Sequence, residues 1–159
     1  MTYNMKNKML ANKKIRQALS LAVDREKLVT DVLDNTGEAA YTYTTKGVGI
    51  IGVSKDFSEE AGKIFPAYNP QKAKQLLAEG LKELGLQKLP ELTMIFNDSG
   101  NNKVISEYIQ ESLRINLGVN INIEGMTFQS RLDKMQHRDY EIALAGYNGD
   151  YNEAITYLD

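Results

Sequence analysis

Leu92-Thr-Met-Ile-Phe96, a turn at Asp98-Ser-Gly-Asn101, apolar positions at Val104, Ile105, Tyr108, Ile109 and Leu113, a stop at Gly118, then Val119-Asn-Ile-Asn-Ile-Glu124: this run decides the fold. Its first segment is a short, nearly continuous apolar stretch, the pattern of a strand buried on both faces. The apolar residues that follow recur at three- and four-residue spacing, which is the period of a helix. Val119, Ile121 and Ile123 then alternate with Asn120, Asn122 and Glu124, a half-exposed strand. Strand, helix and strand in this order form a βαβ unit, so the two strands run parallel and the fold class is α/β.

Downstream of the unit, a helix is predicted over residues 127–136 and a strand over residues 140–145, with Ile142 and Leu144 on one face. Upstream, Asn69-Pro70 places a capping side chain ahead of a proline at the first helical position. Ala73, Leu76, Leu77 and Leu81 supply the buried face of that helix, and Gly85 ends it. Nearer the N-terminus, Asn12 caps a helix carrying Ile15, Ala18, Leu19 and Ala22. Asp24 caps a second, with Leu28, Val29, Val32 and Leu33 as its apolar stripe and closure near Gly37. Between residues 37 and 69 periodicity fails, apart from one short strand expected at residues 41–44. With no internal repeat, low-complexity tract or linker, the 159 residues read as a single unit.

Composition removes several function classes. Nineteen Lys and Arg against 21 Asp and Glu, scattered along the chain, leave a net charge of −2 and no basic footprint for nucleic acid. Without Cys there are no disulfides, thiolate metal sites or Cys nucleophiles. No apolar run approaches the roughly 20 residues that span a bilayer, and no signal-like segment opens the chain.

Residue constellations suggestive of catalysis do not hold up in context. Gly47-Val-Gly-Ile-Ile-Gly52 fits G-x-G-x-x-G, but neither a buried strand before it nor an apolar helix after it supplies the setting of a dinucleotide site, so it reads as a glycine-rich surface loop. His137, the sole histidine, stands at a helix end where a cation suits the dipole, without a nucleophile or orienting carboxylate in a recognisable motif. Asn97-Asp-Ser99 reads as the turn before a helix rather than a glycosylation site. The acidic pairs Asp24/Glu26, Glu59/Glu60 and Asp150/Glu153 read as solvated charge. No catalytic residue, cofactor or metal ligand is assigned.

Ala145-Gly-Tyr-Asn-Gly-Asp-Tyr-Asn-Glu153 is different. It leaves a predicted strand and gathers two aromatics, turn-forming residues and an acid into one loop. Loops at the C-terminal ends of strands are where open α/β sheets receive ligands. The same residue types also suit a purely structural turn.

At this loop the chain resembles the oligopeptide-binding proteins of the dipeptide/oligopeptide/nickel family of ABC-importer receptors (extracellular solute-binding protein family 5). Lys14-Ile-Arg-Gln-Ala-Leu-Ser-Leu-Ala-Val-Asp-Arg25 is similar to the family's signature helix, and Tyr68-Asn-Pro-Gln-Lys-Ala-Lys-Gln-Leu-Leu77 to its proline-capped helix. Residues 109–119 resemble the helix before its alternating strand, and Asp139-Tyr-Glu-Ile-Ala through Glu153 its ligand-facing strand and loop.

The resemblance implies the smaller, C-terminal lobe of a two-lobed receptor of the periplasmic-binding-protein-like type II fold, a central sheet flanked by helices. Residues 1–159 are then one partial domain, an excised lobe or a truncated product. Implied partners are an extended peptide ligand, the missing larger lobe and the ABC permease subunits, with the parent extracytoplasmic, in the periplasm or as a cell-surface lipoprotein. The position matching the acid that pairs with the peptide α-ammonium is Asp150. Gly146, Tyr147 and Asn148 lie on the stretch that offers backbone groups to the ligand, and Tyr147 and Phe128 wall its side-chain pockets.

Four positions depart from the family pattern. Tyr147 and Phe128 stand where tryptophan is common, Leu144 where an arginine often is, and Ala154 where a proline usually follows the acidic loop residue. Leu144 removes a carboxylate partner for short peptides and puts peptide-length preference in question. Rival readings keep the fold but bind a nickel complex, haem or a sugar, make the chain an α/β hydrolase or transferase, or leave a structural interaction domain. Retention of Asp150 favours peptides.

Overall fold

A computed structural model describes residues 1–50 and 53–158. Its elements, in order, are β1 (Thr2–Tyr3), α1 (Lys8–Ala11), α2 (Lys13–Leu21), α3 (Arg25–Lys27) running into a π-helical turn (Leu28–Val32), β2 (Gly49–Ile50), β3 (Val53–Asp56), α4 (Phe57–Ala61), α5 (Pro70–Glu83), β4 (Leu92–Asn97), α6 (Asn102–Leu117), β5 (Ile121–Met126), α7 (Phe128–Gln136), β6 (Ile142–Leu144) and α8 (Ile155–Leu158).

The parallel pairing read from the sequence is present. β4 lies between β5 and β6 and runs parallel to both, with Met94 opposite Ile123 on one side and Ile142 on the other. β1, a two-residue strand with no sequence signal of its own, adds antiparallel to β6. Asn4 fixes it there: its amide donates to the carbonyls of Arg138 and Tyr140, while its N–H donates to Glu141.

One face of the sheet presents Leu92, Met94, Ile121 and Ile142 to a core completed by Leu10, Ile15, Leu19 and Ala22, by Ala73 and Leu77, and by Ile109 and Leu113. Most helices begin where a side chain takes up their orphan amides, although α6 starts at Asn101 without such a bond. Asn7, Asn12, Asp24, Asn69 and Thr127 all accept from N–H groups in the first turn of the helix they precede. α6 ends at Gly118 in the left-handed region (φ 66°), where a side chain would be strained. Two tethers hold α6 against the end of α2: Tyr108 donates to the Asp24 carbonyl at 3.0 Å and Asn116 to that of Ala22 at 2.8 Å. α2 and α5 cross closely enough that a Cβ at Gly80 would sit 2.8 Å from Ile15 Cδ1.

Three expectations need correction. Residues 41–44 form no strand; the Tyr41 carbonyl instead accepts from the N–H groups of Ile64 and Phe65, folding the segment on itself. An antiparallel pair not foreseen in the sequence is formed by β2 and β3. The helix expected from Asp24 to about Gly37 is a single turn that widens into the π-helical turn and stops at Leu33, because Asp34 and Asn35 take positive φ; its apolar stripe is only half buried. Val104 points outward, 41% exposed, and Ser106 takes the buried position on α6.

Candidate functional site

The parallel strands β4, β5 and β6 end on one edge of the sheet, at Asn97, Met126 and Leu144. Three segments therefore leave side by side: the Asp98-Ser-Gly-Asn101 turn, the start of α7, and the loop after β6. Because β4 separates β5 from β6, Phe128 and the loop stand about two strand spacings apart, ~10 Å. The side chains expected to form a site thus share one rim of the sheet.

Beyond β6 the chain is in no regular element through Gly149. The backbone groups of Gly146, Tyr147 and Asn148 take part in no hydrogen bond among the described residues, and all three residues are exposed. The Asn148 side chain likewise has no partner among the described residues. Then the chain turns. Gly149 donates its N–H to the Tyr157 hydroxyl at 3.2 Å, and Asp150 donates its N–H to Thr156 Oγ1 at 3.1 Å. Tyr147 packs edge-on against Tyr157, with ring centroids 5.8 Å apart. Gly149 is the residue this packing tolerates, since a Cβ there would come within 2.8 Å of both Thr156 and Tyr157.

Asp150 is exposed, and its carboxylate forms no ion pair among the described residues. Oδ2 accepts from the Tyr147 phenol at 2.9 Å, while Oδ1 accepts nothing among them. The aromatic side chains around this rim are open to solvent: Tyr147 and Phe128 at 57% and Tyr151 at 54%. Phe128 is braced from below by Arg131, whose guanidinium stacks 5.1 Å from the ring centroid while Nε donates to Asn97 Oδ1 at the end of β4.

The sequence reading did not select Thr156, Tyr157 or Arg131. The first two lie on a four-residue helix, too short for periodicity to reveal, and Arg131 is only 3% exposed, which its residue type does not signal. His137 caps the end of α7 with Nδ1 donating to the Asp133 carbonyl, as its sequence context suggested. Asn97 forms the turn before α6, its amide donating to Ser99 Oγ. Of the glycine-rich pattern, Ile51 and Gly52 lie outside the described residues; Gly47 donates its N–H to Asp56. No group of His, Asp and Glu that could hold a metal ion occurs among the described residues, and none of their helices is long and apolar enough to cross a membrane.

The whole chain, residues 1–159, matches the model of the bacterial extracellular solute-binding proteins, family 5, middle region. The chain belongs to this family. Among family 5 relatives, a dipeptide-binding protein of Lactococcus lactis is 36% identical over 95% of this chain and 27% of its own length. The oligopeptide-binding protein OppA of Bacillus subtilis is 31% identical over 99% of this chain and 28% of its own length. Listeria monocytogenes OppA, solved bound to peptide, superposes with a TM-score of 0.87 at 32% identity, over 94% of this chain and 30% of that one. The chain therefore spans little more than a quarter of the length of these family 5 relatives.

Proposed function

We propose that this chain is the smaller lobe of a peptide receptor for an ABC importer, and that its rim of strand ends forms half of the ligand cleft. The observation that carries the reading is the sequence of features on one loop: three exposed residues with unpaired backbone groups, then an exposed carboxylate held by the loop but by no cation. An extended peptide added along residues 146–148 gains main-chain hydrogen bonds that are indifferent to its sequence. Its α-ammonium then meets Asp150, a charge-assisted contact that every free peptide N-terminus can make. Phe128, Tyr147 and Tyr151 offer broad apolar surface for side chains without selecting one. The names of the relatives, dipeptide- and oligopeptide-binding, point the same way.

In this reading the lobe acts by binding, with no reaction of its own. A second, larger lobe closes over the ligand outside the cytoplasm, and permease subunits in the membrane receive it. A ligand enclosed by two lobes loses much of its contact area and desolvation when one is missing. The 159 residues alone are thus expected to bind short peptides only at about millimolar concentration. Titrating trialanine into the isotope-labelled chain and following amide shifts tests this. Saturable shifts at residues 145–151, abolished by Asp150→Ala, are expected; shifts elsewhere, or an unchanged response in the variant, would refute the assignment.

A further inference from the structure

Around Asp150 the hydrogen bonds close into a ring. The Asp150 N–H donates to Thr156 Oγ1 at 3.1 Å, Thr156 Oγ1 lies 3.3 Å from the Tyr147 phenol, and that phenol donates to Asp150 Oδ2 at 2.9 Å. Counting protons fixes the direction. The carboxylate can only accept, so the phenol's single proton goes to Oδ2. Thr156 must then donate its own proton to the phenol oxygen, and in turn accepts from the Asp150 N–H. Each hydroxyl is donor and acceptor at once, an arrangement in which successive bonds polarise one another.

From this ring we infer that Tyr147 is a positioning residue for the ligand anchor as well as a wall of its pocket. This rests on the peptide reading given above. An Asp side chain on an exposed loop ordinarily samples several rotamers, and fixing one costs entropy on binding. Here Tyr147 and Thr156 fix it beforehand. Tyr147 occupies Oδ2, Thr156 holds the phenol and the Asp150 N–H, and Oδ1, without a partner among the described residues, is left for the ammonium group. Two further contacts keep the phenol in place: the edge-on stacking on Tyr157, and the Tyr157 hydroxyl's own bond from the Gly149 N–H. A tryptophan at this position offers as much apolar surface, but its ring N–H is a donor only and cannot both accept from Thr156 and donate to the carboxylate. The tyrosine is therefore a functional difference from the pattern noted for the family, and it biases this lobe toward ligands whose charged amine is presented in one fixed direction.

The test separates the ring from the wall. Tyr147→Phe keeps the aromatic face and deletes the hydroxyl. Trialanine and N-acetyl-trialanine are titrated into the 159-residue chain and the variant, and the Asp150 χ1 rotamer is measured in both without ligand through three-bond couplings. We expect wild type to prefer the free amine, and Tyr147→Phe to weaken trialanine binding about fivefold to tenfold. N-acetyl-trialanine should be unaffected, and Asp150 should pass from one dominant rotamer to an average. Tyr147→Trp should behave as Tyr147→Phe does. If Asp150→Ala removes the preference for the free amine while Tyr147→Phe leaves both affinity and rotamer unchanged, the positioning role is wrong and the peptide reading stands. If wild type binds the two peptides equally, or neither, the peptide reading fails as well. An Asp150 rotamer already averaged in wild type overturns the positioning role whatever the titrations give.

Discussion

Tyr147 Oη lies 2.9 Å from Asp150 Oδ2, so a residue expected to wall a pocket and to offer its backbone also holds the residue expected to anchor the ligand. The loop between them turns at Gly149, the one position whose neighbours Thr156 and Tyr157 leave no room for a side chain. The loop is thus organised by its own downstream helix turn, and the anchor's geometry is local in origin.

Thr156→Val preserves shape and removes the hydroxyl that accepts from the Asp150 N–H. Loss of one partly buried hydrogen bond costs about 1 kcal/mol. The Asp150 amide should exchange with solvent several-fold faster in the variant, as read by hydrogen exchange, while amides in β4 stay protected. Equal exchange at Asp150 would mean that Thr156 does not organise the loop.

Gly80 sits where α5 crosses α2. Replacing a helical glycine by alanine ordinarily stabilises by up to about 1 kcal/mol. At this position the added methyl would approach the fully buried Ile15 to 2.8 Å and Asn12 Oδ1 to 3.2 Å. Overpacking of this kind costs about 1–3 kcal/mol, so the net effect of Gly80→Ala in chemical denaturation should be destabilising. A gain in stability would show that the helix pair spreads without penalty.

Across the same pair, Lys14 Nζ lies 2.8 Å from both Glu79 and Glu83, and Asn12 donates to Glu83 as well. The lysine's hydrogen bonds hold both carboxyl groups below the ordinary glutamate range. A depressed folded-state pKa contributes stability that is present above the unfolded value and is lost as pH falls through the folded one. These groups are solvent-exposed, and the contribution is correspondingly small and sensitive to salt. In Lys14→Met the thermal midpoint should fall less steeply between pH 5 and pH 3 than in wild type. Parallel pH profiles would assign the acid sensitivity to other groups.

Arg131, 3% exposed, spans from the end of β4 to the Phe128 ring. Arg131→Ala deletes both the hydrogen bond to Asn97 and the apolar stem beneath the ring, and is expected to cost about 1–3 kcal/mol. Calorimetric unfolding measures it. A change below about 0.5 kcal/mol, the range of ordinary surface substitutions, would mean that the brace carries no load.

The sequence made the parallel core legible because period and punctuation agree there. Leu92 to Phe96, the α6 stripe, Gly118 and the alternation at Ile121 and Ile123 each point to the same βαβ unit, and the caps at Asn12 and Asn69 mark helix starts through local hydrogen bonds. Elements held by distant partners were not legible. β1 exists because Asn4 reaches the turn before β6, more than 130 residues away. The segment at residues 41–44 has strand-like composition, but its Tyr41 carbonyl takes the N–H groups of Ile64 and Phe65 and no ladder forms. At the candidate site, the loop and its acid stood out by residue type and by place after a strand. The ring through Thr156 did not, since a threonine in a four-residue helix carries no pattern that distinguishes a loop organiser from any surface residue.

Whether Asp150 receives the positive end of a stretched peptide is read directly from a structure of the chain crystallised with a saturating tripeptide. The ammonium nitrogen is predicted within about 3 Å of Asp150 Oδ1, with the Tyr147 bond to Oδ2 retained and the peptide backbone paired along residues 146–148. A peptide whose amino terminus lies away from Asp150, or an Asp150 side chain turned inward onto a cation of the protein, would contradict it.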